Sequence, residues 1–314
     1  MALVFSKRYL LQLALLIFVL SITSLPTGIK FKQDRKYRVP NIVHYIYGLE
    51  NVSLVPFGLL QYISILGTLL YIRPDKILWH HKFVPDEKAI WWPCALPHLA
   101  LTPAEPVREV HGRFMPNILQ QHQSDITRFR ILNESGGIYL DTDIIPLRSF
   151  GILRMHEFLM GKEGNAENAL CNAVLIATPK ARFLQRWWAT YNSFDVNEWA
   201  NHSVYIPALL QRQFPDECVA LSNRAFFTPG GDMLDSLYTY DDGYDFQDNF
   251  AMHLWTSANA DYRAHLIHLT IEDIFHGKGS FHRIARQVLI ESFSAGLLCG
   301  RARAEMERVR HLYL

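Results

Sequence analysis

Two aspartates separated by one residue, Asp141 and Asp143, are the side chains of this sequence best suited to bind a metal ion. They follow a short apolar segment, residues 138–140, which predicts a buried strand that ends at the first carboxylate. Because side chains alternate along a strand, both carboxylates would point to one side and Thr142 to the other. Mg²⁺ and Mn²⁺ take oxygen ligands and often bind through one or two carboxylates together with substrate phosphates. The pattern therefore predicts a metal-bound diphosphate at this strand end.

A predicted helix precedes the strand and ends at a turn that contains Gly136 and Gly137. Ser124 is a good N-cap residue, and apolar residues follow it at roughly helical spacing. Asp125 and Arg128 would share one face of this helix near its N-terminal end, where both could reach a ligand. For each feature taken alone there is a simpler interpretation. Asp125 and Arg128 could form a surface ion pair, and the aspartates could be an ordinary exit from a strand.

Residues 122–148 resemble the DXD signature of glycosyltransferase family 32, because they contain S-D-x-x-R, then L, and then G-G-I-Y-L-D-T-D. A weaker resemblance extends from about residue 39 to residue 257. The family includes mannosyltransferases, α-1,4-galactosyl- and N-acetylglucosaminyltransferases and, more distantly, the glucosylating clostridial toxins. The resemblance implies a GT-A fold, which is an α/β fold with a Rossmann-like mixed central sheet and flanking helices. It also implies a nucleotide-sugar donor, Mn²⁺ or Mg²⁺ as the cofactor, and transfer with retention at the anomeric carbon.

The resemblance assigns roles to five residues of the signature. A cation held by Asp143 would bridge the two phosphates, and Arg128 would add a fixed positive charge toward the phosphate or the donor sugar. Asp125 and Asp141 would hold hydroxyls of the ribose and the donor sugar, with Asp141 also near the metal. Tyr139 would border the donor. Asp141, Asp143 and Arg128 are therefore the expected catalytic residues, and the sequence identifies no nucleophilic carboxylate.

Four residues outside the signature match the resembled family. Tyr47 ends the first predicted strand, where the family often has a tryptophan that borders the nucleobase. Asn172, in a predicted strand over residues 170–177, would contact a sugar or the acceptor. In the stretch MHLWTS, His253 would complete the metal shell and Trp255 would touch the diphosphate. Core packing is the alternative for Tyr47, and a structural role is the alternative for His253.

The elements before the signature predict a parallel unit that positions the site. Residues 41–47 and 76–80 read as strands, and the uncharged run over residues 52–72 reads as a buried crossover helix rather than a membrane span. Ligands of such sheets bind beyond the carboxyl ends of the strands, near Tyr45 and Tyr47. Residues 84–116 read as an ordered loop region, in which Trp91 and Trp92 could line an acceptor site or pack internally.

The N-terminus predicts a membrane anchor. Lys7 and Arg8 precede an uncharged run over residues 9–25, which is at the short end of the range that spans a bilayer. A cleaved signal peptide is the alternative, and the basic residues that follow the run favour the opposite orientation by the positive-inside rule. Because the resembled family is mostly Golgi-resident, we expect a single-pass type II Golgi protein with a luminal catalytic domain. The expected organisation is a cytoplasmic tail and signal anchor (1–25), a short stem (26–38), a catalytic domain (39–295) and a charged C-terminal tail (296–314).

Composition excludes some classes of partner. The 31 Lys and Arg residues nearly balance the 30 Asp and Glu residues, so no electrostatic footprint for nucleic acid is present. The four cysteines lack C-x-x-C spacing, which argues against a zinc site; they could form up to two disulfides in any of three connectivities, or stay reduced. Three N-glycosylation sequons begin at Asn51, Asn133 and Asn201. We expect Asn133 to stay unmodified because it lies in the signature helix.

Two other functions compete with sugar transfer. Asp-x-Asp after an apolar strand also opens the haloacid dehalogenase phosphatases, but those usually have Thr or Val where this chain has Ile145, and they carry the motif near the start of the domain. A non-catalytic, membrane-anchored protein that binds a nucleotide sugar or a glycan is the second alternative. The complete set of matching polar residues argues against it. The expected partners are a nucleotide-sugar donor, a glycan or glycolipid acceptor, and the membrane. The sequence does not encode the sugar, the base or the acceptor.

Overall fold

The computed structural model describes residues 37–50, 56–86, 88–164 and 168–313, and the side chains of the last helix up to residue 309. The strands are β1 (Ile42–Ile46), β2 (Lys76–His81), β3 (Ala100–Pro103), β4 (Glu109–Val110), β5 (Arg113–Phe114), β6 (Gly137–Leu140), β7 (Ile144–Pro146), β8 (Phe158–Lys162), β9 (Leu170–Ala177), β10 (Val219–Leu221) and β11 (Ala251–His253). The helices are α1 (Leu59–Gly67), α2 (Trp92–Ala95), α3 (Gln120–Ser135), α4 (Arg182–Thr190), α5 (Ile206–Gln213), α6 (Leu234–Tyr238), α7 (Ala260–Ile267), α8 (Ile271–His276), α9 (Ser280–Ser294) and α10 (Gly300–Tyr313).

The central sheet is mixed. Its strand order is β10-β8-β9-β6-β1-β2-β3, with β1 parallel to both β2 and β6, and β9 antiparallel to both β6 and β8. Along β6, Ile138 and Leu140 belong to one apolar cluster and Tyr139 to the other, as alternation requires. Helices α1, α8, α9 and α10 contribute to the first cluster, whereas α3, α4 and α5 contribute to the second. The predicted α/β fold with a mixed central sheet and flanking helices is confirmed.

Two glycines at the start of β6, one just before it and one as its first residue, allow this strand to enter the middle of the sheet. Gly136 has φ +62° and Gly137 has φ +115°, a region that side chains with a Cβ rarely adopt. A Cβ on Gly137 would lie 2.7 Å from both the Nε2 atom of His44 and the carbonyl oxygen of Ile42. Because Gly137 has no Cβ, the backbone of β6 can approach β1 more closely at this position than it could with any other residue type.

Helix α3 begins at Gln120, so the prediction that Ser124 caps it is wrong. The cause is a buried glutamine in the first turn. Gln123 donates from Nε2 to the Ile118 carbonyl (2.9 Å) and to Glu50 Oε1 (2.7 Å), and its Oε1 accepts from the Val107 N–H (3.1 Å). These tertiary contacts extend the helix toward its N-terminus and place Ser124 in the second turn.

The run over residues 52–72 contains a buried helix between two parallel strands, as predicted. Helix α1 is buried along its whole length and continues as a π-helix, Thr68–Ile72. The strand predictions for residues 41–47, 76–80 and 170–177 are also confirmed, to within a residue or two. Within the described residues, no helix has both the length and the apolar character needed to cross a membrane. The predicted anchor, most of the stem and the sequon at Asn51 lie outside those residues.

The region over residues 84–116 is more regular than predicted, because it contains α2, β3, β4 and β5. Trp91 and Trp92 are buried there, and Trp91 stacks on Tyr62 with ring centroids 5.8 Å apart. The acceptor-wall interpretation of these tryptophans is wrong, and the packing interpretation is confirmed. A disulfide joins Cys94 to Cys299.

The last helix is part of the folded domain. Ala302, Met306 and Val309 are buried in the core, whereas the charged residues of α10 lie mostly on its exposed side. The charged pattern over residues 301–310 is therefore one face of a packed helix. Cys171 and Cys218 are buried free thiols, so one of the possible disulfides is formed.

Candidate active site

Two short strands outside the central sheet bring the aspartates to a histidine. The segment from Asp141 to Asp143 is a turn between β6 and β7, in which the Ile144 N–H donates to the Asp141 carbonyl at 3.0 Å. Strand β7 pairs antiparallel with β11, and Ile144 is opposite His253. As a result, Asp141, Asp143 and His253 each offer one ligand atom, and these atoms all lie within 4.8 Å of one another.

Asp143 is 9% exposed and is held by three donors. Its Oδ2 accepts from the backbone N–H of Thr256 (3.1 Å) and from the hydroxyl of Thr256 (2.8 Å), while its Oδ1 lies 3.4 Å from His253 Nε2. Burial alone would raise the pKa of Asp143, but His253 and Thr256 outweigh burial and lower this pKa to about 2. Asp143 is therefore a carboxylate at any physiological pH.

His253 has an environment that suits a metal ligand. Burial lowers the pKa of His253, but the facing Asp143 carboxylate raises it more, so the pKa is above its ordinary value. Its Nδ1 atom is buried and has no hydrogen-bond partner within the described residues. Two carboxylates and one imidazole form a donor set that fits a divalent cation, which would take the place of the proton that His253 shares with Asp143.

Asp141 is tied to Arg128 and Tyr139. The hydroxyl of Tyr139 donates to Asp141 Oδ1 at 2.5 Å, and Arg128 Nη2 lies 3.3 Å from the same oxygen. The guanidinium carbon is 4.3 Å from the centre of the Tyr139 ring, which is a cation–π contact. Burial raises the pKa of Asp141, and the charge of Arg128 opposes that rise. Arg128 therefore places a positive charge beside the carboxylates.

Asn172 connects Arg128 to Asp125. Its Nδ2 donates to Asp125 Oδ1 at 2.7 Å, and its carbonyl accepts from Arg128 Nη1 at 2.6 Å. Arg128 Nη2 also lies 3.3 Å from Asp125 Oδ1. Arg128 is 4% exposed and Asp125 is 8% exposed, so the alternative of a surface ion pair is wrong. On the other side of Asp125, its Oδ2 lies 3.5 Å from the Nδ1 of His122.

A cavity of about 170 Å³ lies beside the aspartates, at the carboxyl end of β1. We call it the Thr142 cavity; its lining includes Tyr47, Ser124, Thr142, Ser257 and Arg263. The ring of Tyr47 also packs against Trp79, with centroids 5.4 Å apart, so Tyr47 is both a core contact and a cavity wall. Arg263 makes no ion pair within the described part of the chain, which leaves its charge for a ligand.

Trp255 packs against His253, with ring centroids 4.1 Å apart. Its indole N–H donates to the Pro229 carbonyl at 3.2 Å, and its backbone has φ +53°, an uncommon value for a residue other than glycine. The indole N–H is therefore already occupied. The contact of Trp255 with a diphosphate stays a prediction. Such a contact would have to use the face or the carbon edge of the indole ring.

The structure brings most of the predicted site residues into one network. Hydrogen bonds and ion pairs join Asp125, Arg128, Tyr139, Asp141 and Asn172, and the Asp143–His253 pair completes the network because its ligand atoms lie within 4.8 Å of that of Asp141. Tyr47 and Trp255 flank this network. Two residues of the site, Thr256 and Arg263, were not predicted from the sequence. Thr256 lies inside the stretch MHLWTS that had been singled out, whereas Arg263 lies in a helix that carries no recognisable motif.

Two sequence comparisons find a matching family model and a relative of this chain. Residues 98–160 match the family model described as a glycosyltransferase sugar-binding region containing a DXD motif. The chain is 32% identical over 263 residues to Glucan organizing enzyme 1 of Cryptococcus neoformans var. grubii serotype A, and the alignment covers 79% of this chain and 70% of that protein.

Two solved structures illustrate the structural comparisons. The glycosyltransferase GlyE of Streptococcus pneumoniae TIGR4 is 12% identical, with a TM-score of 0.43, and the match covers 83% of this chain and 64% of that one. The galactosyltransferase LgtC, solved in complex with donor and acceptor sugar analogs, is 12% identical, with a TM-score of 0.38; that match covers 72% of this chain and 95% of the other.

Proposed function

This chain belongs to the glycosyltransferases that carry a DXD motif in their sugar-binding region, and we propose that it moves a hexose from a nucleotide sugar to a glycan or glycolipid acceptor in a metal-dependent reaction. The observation that carries the proposal is the cluster of Asp141, Asp143 and His253 within 4.8 Å, beside the buried guanidinium of Arg128. This arrangement suits a leaving group that carries two phosphates.

Asp141, Asp143 and His253 would hold the cation, and Mn²⁺ is preferred over Mg²⁺ because one ligand is an imidazole. When bound, the ion would neutralise the charge that develops on the nucleoside diphosphate as it leaves. Thr256 keeps Asp143 Oδ2 occupied, so Oδ1 is the oxygen available for the ion. Arg128 supplies a positive charge that needs no rearrangement during the reaction, because both of its terminal nitrogens are already fixed.

The Thr142 cavity would receive the nucleoside part of the donor. Tyr47 offers an aromatic wall for the base, and Arg263, which also lines the cavity, offers a charge for the phosphates. Asp125 would accept a hydroxyl through its Oδ2, because Asn172 and Arg128 already occupy its Oδ1. The family relationship supports a GT-A fold and retention at the anomeric carbon.

Features of the whole chain support a luminal enzyme of the Golgi membrane. The Cys94–Cys299 disulfide is typical of an oxidising compartment. The uncharged run over residues 9–25 supports a type II anchor. The name of the fungal relative refers to glucan organisation, which favours a glycan acceptor over a glycolipid.

The test is release of nucleoside diphosphate by the purified chain from a panel of UDP- and GDP-sugars, with Mn²⁺ or with a chelator. We expect one donor to be hydrolysed, only with the metal, and Asp143→Asn to abolish that hydrolysis. Asp216→Asn is the matched control, because Asp216 is exposed and makes no hydrogen bond or ion pair in the described part of the chain. Metal-independent release, or full activity of a folded Asp143→Asn variant, would contradict the proposal.

A further inference from the structure

The segment from Trp255 to Arg263 contributes to two cavities. Ser257 and Arg263 line the Thr142 cavity, whereas Asn259 and Tyr262 line a second cavity of about 350 Å³. Tyr262 and Arg263 are neighbours on helix α7, so their side chains leave the helix in different directions. The same short segment therefore borders both the proposed nucleotide site and a separate binding space, which we call the Asp232 cavity.

The lining of the Asp232 cavity is polar and carries negative charge only. Asp232, Asp235 and Asp242 line it together with Tyr240, Tyr262 and Asn259, and no Lys, Arg or His belongs to the lining formed by described residues. The Tyr240 side chain is 54% exposed, which leaves a ring face for a ligand. Such a lining favours a neutral, polyhydroxylated molecule and disfavours an anion.

Of the three lining carboxylates, Asp232 is the most available to a ligand, because Asp242 Oδ1 already accepts from the Tyr244 N–H at 3.0 Å. Asp235 accepts a hydrogen bond from the Tyr262 hydroxyl, so it is already engaged. Asp232 makes no hydrogen bond or ion pair within the described residues. A carboxylate can only accept hydrogen bonds, and sugar hydroxyls are donors that form strong, charge-assisted bonds with it. Asp232 can therefore take two neighbouring hydroxyls of one sugar ring.

The Asp232 cavity is connected to the metal cluster by packed rings. Gly231 lines the cavity, and a Cβ at Gly231 would lie 3.4 Å from the indole of Trp255. The Trp255 ring in turn packs on His253, whose Nε2 is 3.4 Å from Asp143. A ligand in this cavity would thus be separated from the proposed metal by one indole and one imidazole.

We propose that the Asp232 cavity binds the terminal sugar of the acceptor, and that this sugar is an uncharged hexose rather than a uronate, a sialate or a phosphorylated sugar. The inference rests on the proposed transfer reaction, because a transferase needs a second sugar site near its donor. Asp232 accepts hydroxyls of the ring, and Tyr240 packs on its apolar face. An acidic sugar would place its charge against three lining carboxylates, with no cation among the described lining residues.

The test measures binding of methyl glycosides to the full chain by saturation-transfer NMR, with Mg²⁺ and a nucleoside diphosphate present. The panel contains methyl mannoside, galactoside, glucoside and N-acetylglucosaminide, together with methyl glucuronide, which differs from the glucoside by its carboxylate. We expect at least one neutral glycoside to bind, and the glucuronide to bind at least tenfold more weakly than the glucoside or not at all. Asp232→Asn and Tyr240→Ala should each weaken the neutral ligand at least tenfold, whereas Asp216→Asn should not.

Melting temperatures of the variants separate a binding defect from misfolding, and both substituted residues are partly or largely exposed. The inference is overturned if no neutral glycoside binds, if the glucuronide binds best, or if both variants bind like the wild type. Failure here is distinct from failure of the proposed function, because donor hydrolysis needs no acceptor. Metal-dependent donor hydrolysis by the wild type, together with Asp232→Asn and Tyr240→Ala variants that bind the neutral glycoside as the wild type does, would reject the acceptor site alone.

Discussion

Replacing Thr256 with valine tests whether the hydroxyl of Thr256 prepares Asp143 for a metal ion. The substitution keeps the shape and the backbone N–H but removes the 2.8 Å hydrogen bond to Asp143 Oδ2. A hydrogen bond to a charged group contributes about 1.5–3 kcal/mol. Since each 1.4 kcal/mol is a factor of about ten in a binding constant, the variant should bind Mn²⁺ about 10- to 100-fold more weakly. Loss of a partner that orients a metal ligand typically has an effect of about this size.

The assay is a titration of the chain with Mn²⁺, in which electron paramagnetic resonance reports the free ion in the presence of a nucleoside diphosphate. Thr256→Ser should restore binding, because it returns the hydroxyl. Thr102→Val is the matched control, since Thr102 lies in the edge strand β3 and its hydroxyl donates, among the described residues, to the Ala100 carbonyl alone, at 3.3 Å. A folded Thr256→Val variant that binds Mn²⁺ as tightly as the wild type would refute the reasoning. The refutation would be clearest if Asp143→Asn abolished Mn²⁺ binding in the same assay, because Asp143 would then bind the ion without the hydroxyl of Thr256.

Four further outcomes are expected. Asn172→Ala should lower kcat/KM for donor hydrolysis about tenfold or more, because the buried Asp125 carboxylate loses the hydrogen bond that Asn172 donates at 2.7 Å. An unchanged steady-state rate would show that Asn172 does not position Asp125. Gly137→Ala should reduce the free energy of unfolding in urea by at least about 1–3 kcal/mol, since φ is +115° and a Cβ would clash. Cys94→Ala removes the disulfide that links residues 205 positions apart, so it should lower the free energy of unfolding by up to about 5 kcal/mol. A reducing agent should destabilise the wild type but should not destabilise this variant further. Burial lowers the pKa of His44 to about 4 and that of His80 to about 3, so the folded chain binds fewer protons than the unfolded one. The stabilisation from these two neutral histidines should therefore be complete above pH 6.5. Below that pH the free energy of unfolding should fall toward pH 4, by about 1.4 kcal/mol per pH unit for each histidine. The double variant His44→Gln/His80→Gln should lose this dependence on pH.

The parts of the site that could be predicted depend on local signals. Two glycines, an apolar strand and two spaced carboxylates occupy consecutive positions, and the glycine turn and strand β6 follow from turn chemistry and strand alternation. The predicted alternation does not extend to Asp141 and Asp143, because residues 141–143 form a turn closed by the Ile144 N–H and the Asp141 carbonyl. The shared helix face of Asp125 and Arg128 follows from helical periodicity alone. These features are determined by residues close together in the sequence, so they can be predicted without knowing how the rest of the chain folds.

The parts that could not be predicted depend on contacts between distant residues. Thr256 reaches Asp143 across 113 positions, through a pair of three-residue strands too short to leave a periodic pattern. The start of α3 is set by Gln123, whose partners lie outside the helix. Trp91 and Trp92 were ambiguous because an aromatic side chain suits both a sugar-binding wall and a core, and only burial distinguishes the two.

The pairing of β7 with β11 also fixes when the site can exist during synthesis. A ribosome that has released the whole signature, including Asp141 and Asp143, must still add more than a hundred residues before His253 and Thr256 emerge. Until then, Asp143 lacks His253 and Thr256, and Arg128 pairs with Asp141 alone of the two aspartates. A nascent or C-terminally shortened chain should therefore retain the recognisable motif and yet lack the metal site, so the motif alone is a poor indicator that a fragment of this protein is active.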